Sequence, residues 1–156
     1  MENVSNEQDW SHVAEIELIY KTKVKPSLRP TIKKSSDCYQ VFLQKWDINK
    51  IEFVEEFKVM LLNRANKVLG LITISSGTVT ACPVEPRHII LAAIEANACS
   101  IILAHNHPSG SLKPSPSDLD ITKKISDGAK FFDLKVLDHL IITNEAFMSF
   151  SDEGLL

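Results

Sequence analysis

Residues 99–118 read CSIILAHNHPSGSLKPSPSD, an apolar run that stops on two histidines and passes through a loop to a helix start. Cys99–Ala104 is short, uncharged and carries two β-branched residues, the composition of a buried central strand. The Gly, Pro and Ser content from residue 105 onward predicts a loop. Ser115 then offers an N-cap, Pro116 the first helical position and Asp118 the third, which is capping-box spacing. A helix is predicted over 116–131. A buried strand feeding a helix through a loop points to an α/β layered fold.

The flanking sequence agrees. Upstream, Pro86 opens a predicted helix over 86–98 with apolar residues at helical spacing. Before it, EEFKVMLL (55–62) and 67–74 read as two strands, with Asn63–Asn66 supplying turn residues and Ser75-Ser76-Gly77 ending the pair. Ser35 or Ser36 can cap a helix over 37–46, where Tyr39, Phe42, Leu43 and Trp46 fall at i, i+3, i+4 and i+7. HVAEIELIY (12–20) partly alternates and reads as a strand, while 1–10 is expected to lack order. Downstream, 134–143 is a predicted strand and 146–150 a short last one. The embedded hairpin predicts a mixed β-sheet flanked by helices rather than an all-parallel sheet.

Composition narrows the function. The chain has 156 residues, enough for one domain with its own core. Apolar residues make up 44% and charged residues 24%, as in globular proteins, and no apolar run approaches the roughly 18 residues of a membrane span. MENVSNEQDW is acidic and polar, unlike a secretory leader, so the expected compartment is the cytoplasm. Three cysteines, Cys38, Cys82 and Cys99, form no CxxC pair, which argues against a disulfide framework or a cysteine–zinc site. Cys99 is expected in the core. A net charge of −3 argues against a protein that coats nucleic acid, and predicts weak, salt-sensitive DNA binding at most. One stretch runs the other way: KTKVKPSLRPTIKK (21–34) holds six basic residues and no acidic one. It reads as a solvated connector, or as a docking strip for an acidic partner or phosphates.

The chemistry concentrates in 105–118. His105 and His107, two apart at a strand end, can turn both imidazoles to one face. Asp118 follows eleven residues after His107, in the first turn of the predicted helix. Two neutral nitrogens and one carboxylate make three protein ligands, the number in catalytic zinc sites that keep a position open for water. Zinc is the first choice; iron, manganese and nickel also suit this set. Asp118 faces a competition, since it can fold back onto the Ser115 backbone or bind the ion. Asp138 and His139 can support a metal-bound histidine, but are expected to satisfy local hydrogen bonds in their strand. His12 and His88 have no partner in view.

His-x-His, seven residues, Ser, two residues, Asp: this pattern, in His105, His107, Ser115 and Asp118, resembles the JAMM (JAB/MPN) metalloprotease motif. AHNHPSGSLKPSPSD, VLDHLII and SFSDEGLL resemble more closely its RadC branch, over about residues 35–156. The resemblance implies a cytidine-deaminase-like (MPN/JAB) fold for 35–156, with 1–34 as an N-terminal extension. It also implies one zinc ion held by His105, His107 and Asp118, and an upstream glutamate beside the metal. Glu55, two residues before Phe57, holds that place. Glu56 competes for it, but alternation lets only one of the two face the site. Asn106 stands where most JAMM sequences have Ser or Thr, as in RadC relatives. The helix–hairpin–helix region of full-length RadC proteins is not recognisable in the first 34 residues, so a short form is expected.

The implied reaction is hydrolysis of a peptide or isopeptide bond, with Glu55 as general base and Ser115 steadying the developing oxyanion. A protein or peptide substrate follows. Two other classes stay open: a hydrolase for nucleotides or nucleic acid, linked to the family's DNA-repair label, and a non-catalytic MPN-type binding module. Zinc deaminases are excluded by the missing Pro-Cys-x-x-Cys ligand pair, and the contiguous His-Asn-His does not imply an HNH nuclease.

Overall fold

The apolar run at 99–104 becomes a strand that extends two residues further than its composition predicts. It covers Ser100–Asn106, and all seven residues are buried. His105 and Asn106 stay in the ladder because neighbouring strands hold them: His105 pairs with Phe57 on one side and Ile141 on the other, and Asn106 pairs with Ile142. The computed structural model describes residues 14, 23–77 and 83–156. Among these the elements run α1 (Ser35–Leu43), β1 (Glu56–Leu62), β2 (Val68–Ser76), α2 (Pro86–Glu95), β3 (Ser100–Asn106), α3 (Pro116–Lys130), β4 (Lys135–Ile142) and β5 (Phe147–Ser149). The strand expected over 12–20 falls outside the described residues, Ala14 apart, as do residues 1–10, His12 and Cys82.

The sheet is mixed, as the embedded hairpin requires. Its order is β2-β1-β3-β4-β5. Only β3 and β4 are parallel, joined by the α3 crossover; the other neighbours are antiparallel. Period-2 alternation sorts the core into two layers. Even-numbered Met60, Leu62, Ile102, Ala104, Leu140 and Ile142 pack with Phe42 and Trp46, on the α1 face. Odd-numbered Phe57, Val59, Leu61, Ile101 and Leu103 pack with Ile89 and Ala93 of α2 and Ile125 and Ala129 of α3. This parity decides which way every residue at the strand ends points.

Several local expectations are corrected. α1 starts at Ser35, not 37, and its entry is satisfied by a carboxylate rather than a hydroxyl: Asp37 Oδ2 accepts from the Lys33 and Lys34 amides at 2.9 and 3.2 Å. α2 ends at Glu95, three residues early, because Asn97 turns left-handed (φ 51°). The basic stretch is partly built in, since Ile32 is buried and the Ile32 amide donates to Asn66 O at 2.9 Å.

Cys99 is exposed, not core, because it lies in the turn before β3 begins. Cys38 is buried, and burial pushes its thiol up to about 12, with Asp138 adding to the effect. In a Cys82→Ser background, Ellman's reagent should therefore modify Cys99 in the native state and Cys38 only after unfolding. The folded Cys38 thiol holds its proton more tightly than the unfolded one. Its contribution to stability is thus whole below pH ~8.5 and declines as pH rises further. A Cys38 that reacts as fast as Cys99 would contradict this packing.

Candidate metal centre

His105 is odd-numbered, so it points to the α2/α3 face, toward the first turn of α3. His107 continues that parity just beyond the strand. The two Nε2 atoms lie 2.9 Å apart. Asp118 reaches them from the third position of α3, with Oδ1 3.3 Å from His105 Nε2 and Oδ2 3.6 Å from His107 Nε2. The competition for Asp118 is resolved by sharing. Oδ2 also accepts from the Ser115 amide at 2.7 Å, and Ser115 Oγ accepts from the Asp118 amide at 3.2 Å. The capping box therefore aims the carboxylate at the histidines instead of withdrawing it.

His105, His107 and Asp118 form a group that can hold a metal ion, with one ligand atom from each all within 4.8 Å of one another. The donor chemistry fits. His107 Nδ1 lies 2.7 Å from the Ser111 carbonyl, which only accepts, so that nitrogen carries the proton and Nε2 is bare in the neutral ring. His105 Nδ1 is engaged by a buried neighbour, His139 Nε2, at 2.8 Å. The Nε2 atoms of His105 and His107, 2.9 Å apart, need a proton or a cation between them. Tetrahedral zinc, with bonds of about 2.0–2.2 Å, spaces its ligand atoms by about 3.3 Å. The observed spacings, 2.9, 3.3 and 3.6 Å, bracket that value.

Charges in the site are mutually adjusted. Burial pushes the Asp118 carboxyl up, but the Ser115 amide and, when their rings are protonated, His105 and His107 outweigh it and hold the group far below the usual carboxylate range. The bond to Asp118 raises His107. Burial raises Glu55, against the opposing pull of His105 and His107. Glu55 lines the same cleft as the three ligands, a cavity of about 880 Å³ that Phe57, Val84 and Ile121 also border. Extending the β1–β3 register by one same-face step places Glu55 opposite His107. Glu56 points to the other face, where it is buried and pairs with Lys58 Nζ at 3.1 Å. Ser115 also lines the cleft, and because its Oγ accepts the Asp118 amide it retains its own proton for donation.

Two residues, His139 and Thr122, gain positions that sequence did not assign. His139, expected to serve only its own strand, instead meets His105 and, through Nδ1, Thr122 Oγ1 at 2.5 Å. Thr122 lies one helical turn after Asp118, a spacing that would have marked it had a partner been known. Asp138 keeps local bonds, to the His139 and Ser151 amides and to Ser149 Oγ. His88 is exposed.

Asn106, between the two histidines, points to the α1 face and is fully buried. Its Nδ2 donates to Ile51 O and Val54 O at 2.7 and 2.8 Å, and its Oδ1 accepts the Glu56 amide at 2.7 Å. It thus pins the turn that delivers Glu55. Asn106→Ala should orphan these three backbone groups, each worth about 1–3 kcal/mol when buried and unpaired. The denaturant midpoint should fall accordingly; an unchanged midpoint would contradict these bonds.

Fold and site together define a class: a mixed-sheet α/β domain whose central strand ends on a His-x-His pair completed by a helix-start aspartate. The chain belongs to the RadC-like JAB domain family, whose model matches residues 32–155. Among curated relatives, a UPF0758 protein of Desulfitobacterium hafniense is 37% identical over 131 residues, covering 84% of this chain and 56% of the relative. One of Fusobacterium nucleatum is 40% identical over 144 residues, covering 89% and 61%. One of Flavobacterium johnsoniae is 46% identical over 101 residues, covering 65% and 44%. The chain spans about half the length of the curated relatives it matches. No helix among the described residues is long and apolar enough to cross a membrane.

Proposed function

We propose that this chain is a zinc-dependent hydrolase that cleaves a peptide or isopeptide bond. The observation that carries the reading is Glu55, a carboxylate of raised proton affinity in the same cleft as the His105–His107–Asp118 group. Those three residues would hold the ion. When bound, it supplies a Lewis acid and brings a water's pKa down to about 7. Glu55 stands to take a proton from a water in the cleft and pass it to the departing amine. The Ser115 hydroxyl donates toward the oxygen that gains charge as the carbonyl is attacked. Phe57, Val84 and Ile121 give the cleft an apolar border suited to side chains of a peptide substrate.

The cleft lining also weighs against a phosphate-bearing substrate. Among the described residues that form it, none is lysine or arginine, the groups that bind phosphate. The test is a panel of fluorogenic peptides and isopeptide-linked conjugates. Cleavage that a chelator stops and zinc restores is expected. Chelator-sensitive hydrolysis of nucleotides or single-stranded DNA alone would assign a non-peptide hydrolase. A zinc-loaded protein that cleaves nothing would be a binding module.

A further inference from the structure

His105 differs from His107 in how its second nitrogen is held. His107 hands its proton to a loop carbonyl; His105 meets another imidazole, which can either donate or accept. Which nitrogen of His105 is left bare is therefore undecided by that contact alone, and only a bare Nε2 can bind a metal. The answer lies one step further back. Thr122 Oγ1 lies 2.5 Å from the Asp118 carbonyl oxygen and 2.5 Å from His139 Nδ1. A carbonyl only accepts, and a threonine has one proton, so that proton goes to Asp118 O. Thr122 Oγ1 then can only accept, and His139 Nδ1 must carry a hydrogen. His139 is 0% exposed among the rings of Phe57, Phe150 and His105, surroundings that disfavour a charged ring, so with Nδ1 carrying the hydrogen its Nε2 is bare. That nitrogen must accept from His105 Nδ1, and in the neutral ring His105 Nε2 is left bare toward His107 and Asp118.

We infer that Thr122 and His139 are positioning residues that fix His105 in its metal-competent tautomer, through a one-directional hydrogen-bond chain ending on the backbone of another ligand, Asp118. The reverse wiring would leave Thr122 Oγ1 and Asp118 O facing each other at 2.5 Å with no proton between them. The chain joins β3, β4 and α3, so it also ties the start of α3 to the strand that carries the histidines. The functional side of this inference rests on the metal-site reading; the tautomer itself does not.

The experiment uses the metal-free full chain labelled with ¹⁵N-histidine, at a pH where neutral rings dominate. His105 should show a protonated Nδ1 and a bare Nε2 before any metal is added. Thr122→Val keeps the side-chain shape and removes the proton; it should move His105 toward the Nε2–H form. Zinc affinity, measured by chelator competition with Zn²⁺ alone, should fall about 10–100-fold. Thr122→Ser, which restores the hydroxyl, should match the parent in both readouts. His139→Phe should lose affinity comparably, and adding Thr122→Val to it should cost little more, since both act through one chain. Finding Nε2–H His105 in the metal-free parent overturns the inference. So does a Thr122→Val protein whose tautomer is unchanged, even if its affinity drops. A parent that takes up no zinc would defeat the hydrolase reading while the tautomer measurement still decides the wiring.

Discussion

Glu55→Gln is expected to keep the fold and the metal and to lose hydrolysis by about 10²–10⁴-fold, the usual worth of a general base. Glutamine matches glutamate in shape but cannot take up a proton at neutral pH. Glu55 precedes β1, is half-buried and lines the cleft, so the amide should seat without disturbing the core. The control is its neighbour. Glu56→Gln should stay active because that side chain lies on the α1 face beside Lys58. It should cost some stability instead, since it leaves the buried Lys58 without its partner charge. Active Glu55→Gln beside inactive Glu56→Gln would reverse the assignment. Two fully active variants would remove the general-base mechanism.

His105→Ala combined with His107→Ala is expected to abolish metal binding altogether, the largest binding effect available in the chain. It removes two of the three ligand atoms and leaves one carboxylate, which cannot hold a divalent ion against water. Asp118→Ala should weaken binding severely without abolishing it, and should also loosen the start of α3 by about 1 kcal/mol through the lost capping box. The metal-free protein should remain folded, because the two core layers on either face of the sheet are built without the site. Its melting temperature should be lower than that of the loaded form. Unfolding on chelation would make the ion structural.

Much of this was legible in the residues. The apolar runs at 55–62 and 99–104 and the Ser115–Pro116–Asp118 start specify local structure on their own, so the strands and the helix could be read directly, while the direction of the Asp118 carboxylate stayed open between its cap and an ion. That only one of Glu55 and Glu56 could face the site followed from strand alternation, and the family resemblance pointed to Glu55. What could not be read depends on partners distant in the chain. Asn106 looks like a loop residue until the 51–56 turn is placed against it. His139 and Thr122 are 17 residues apart, on a strand and a helix, and only the parallel β3–β4 pairing brings them behind His105. Cys99 shows the opposite error, since an apolar neighbourhood in sequence does not bury a residue that falls in a turn.

The central claim is a metal held by His105, His107 and Asp118. The most direct measurement is elemental analysis, by emission or mass spectrometry, of the chain purified without a metal-affinity tag and dialysed after exposure to stoichiometric zinc. One divalent ion per chain in the parent, and none in the His105→Ala/His107→Ala variant, is the expected result. A parent that retains no metal, or a double variant with full occupancy, would contradict it.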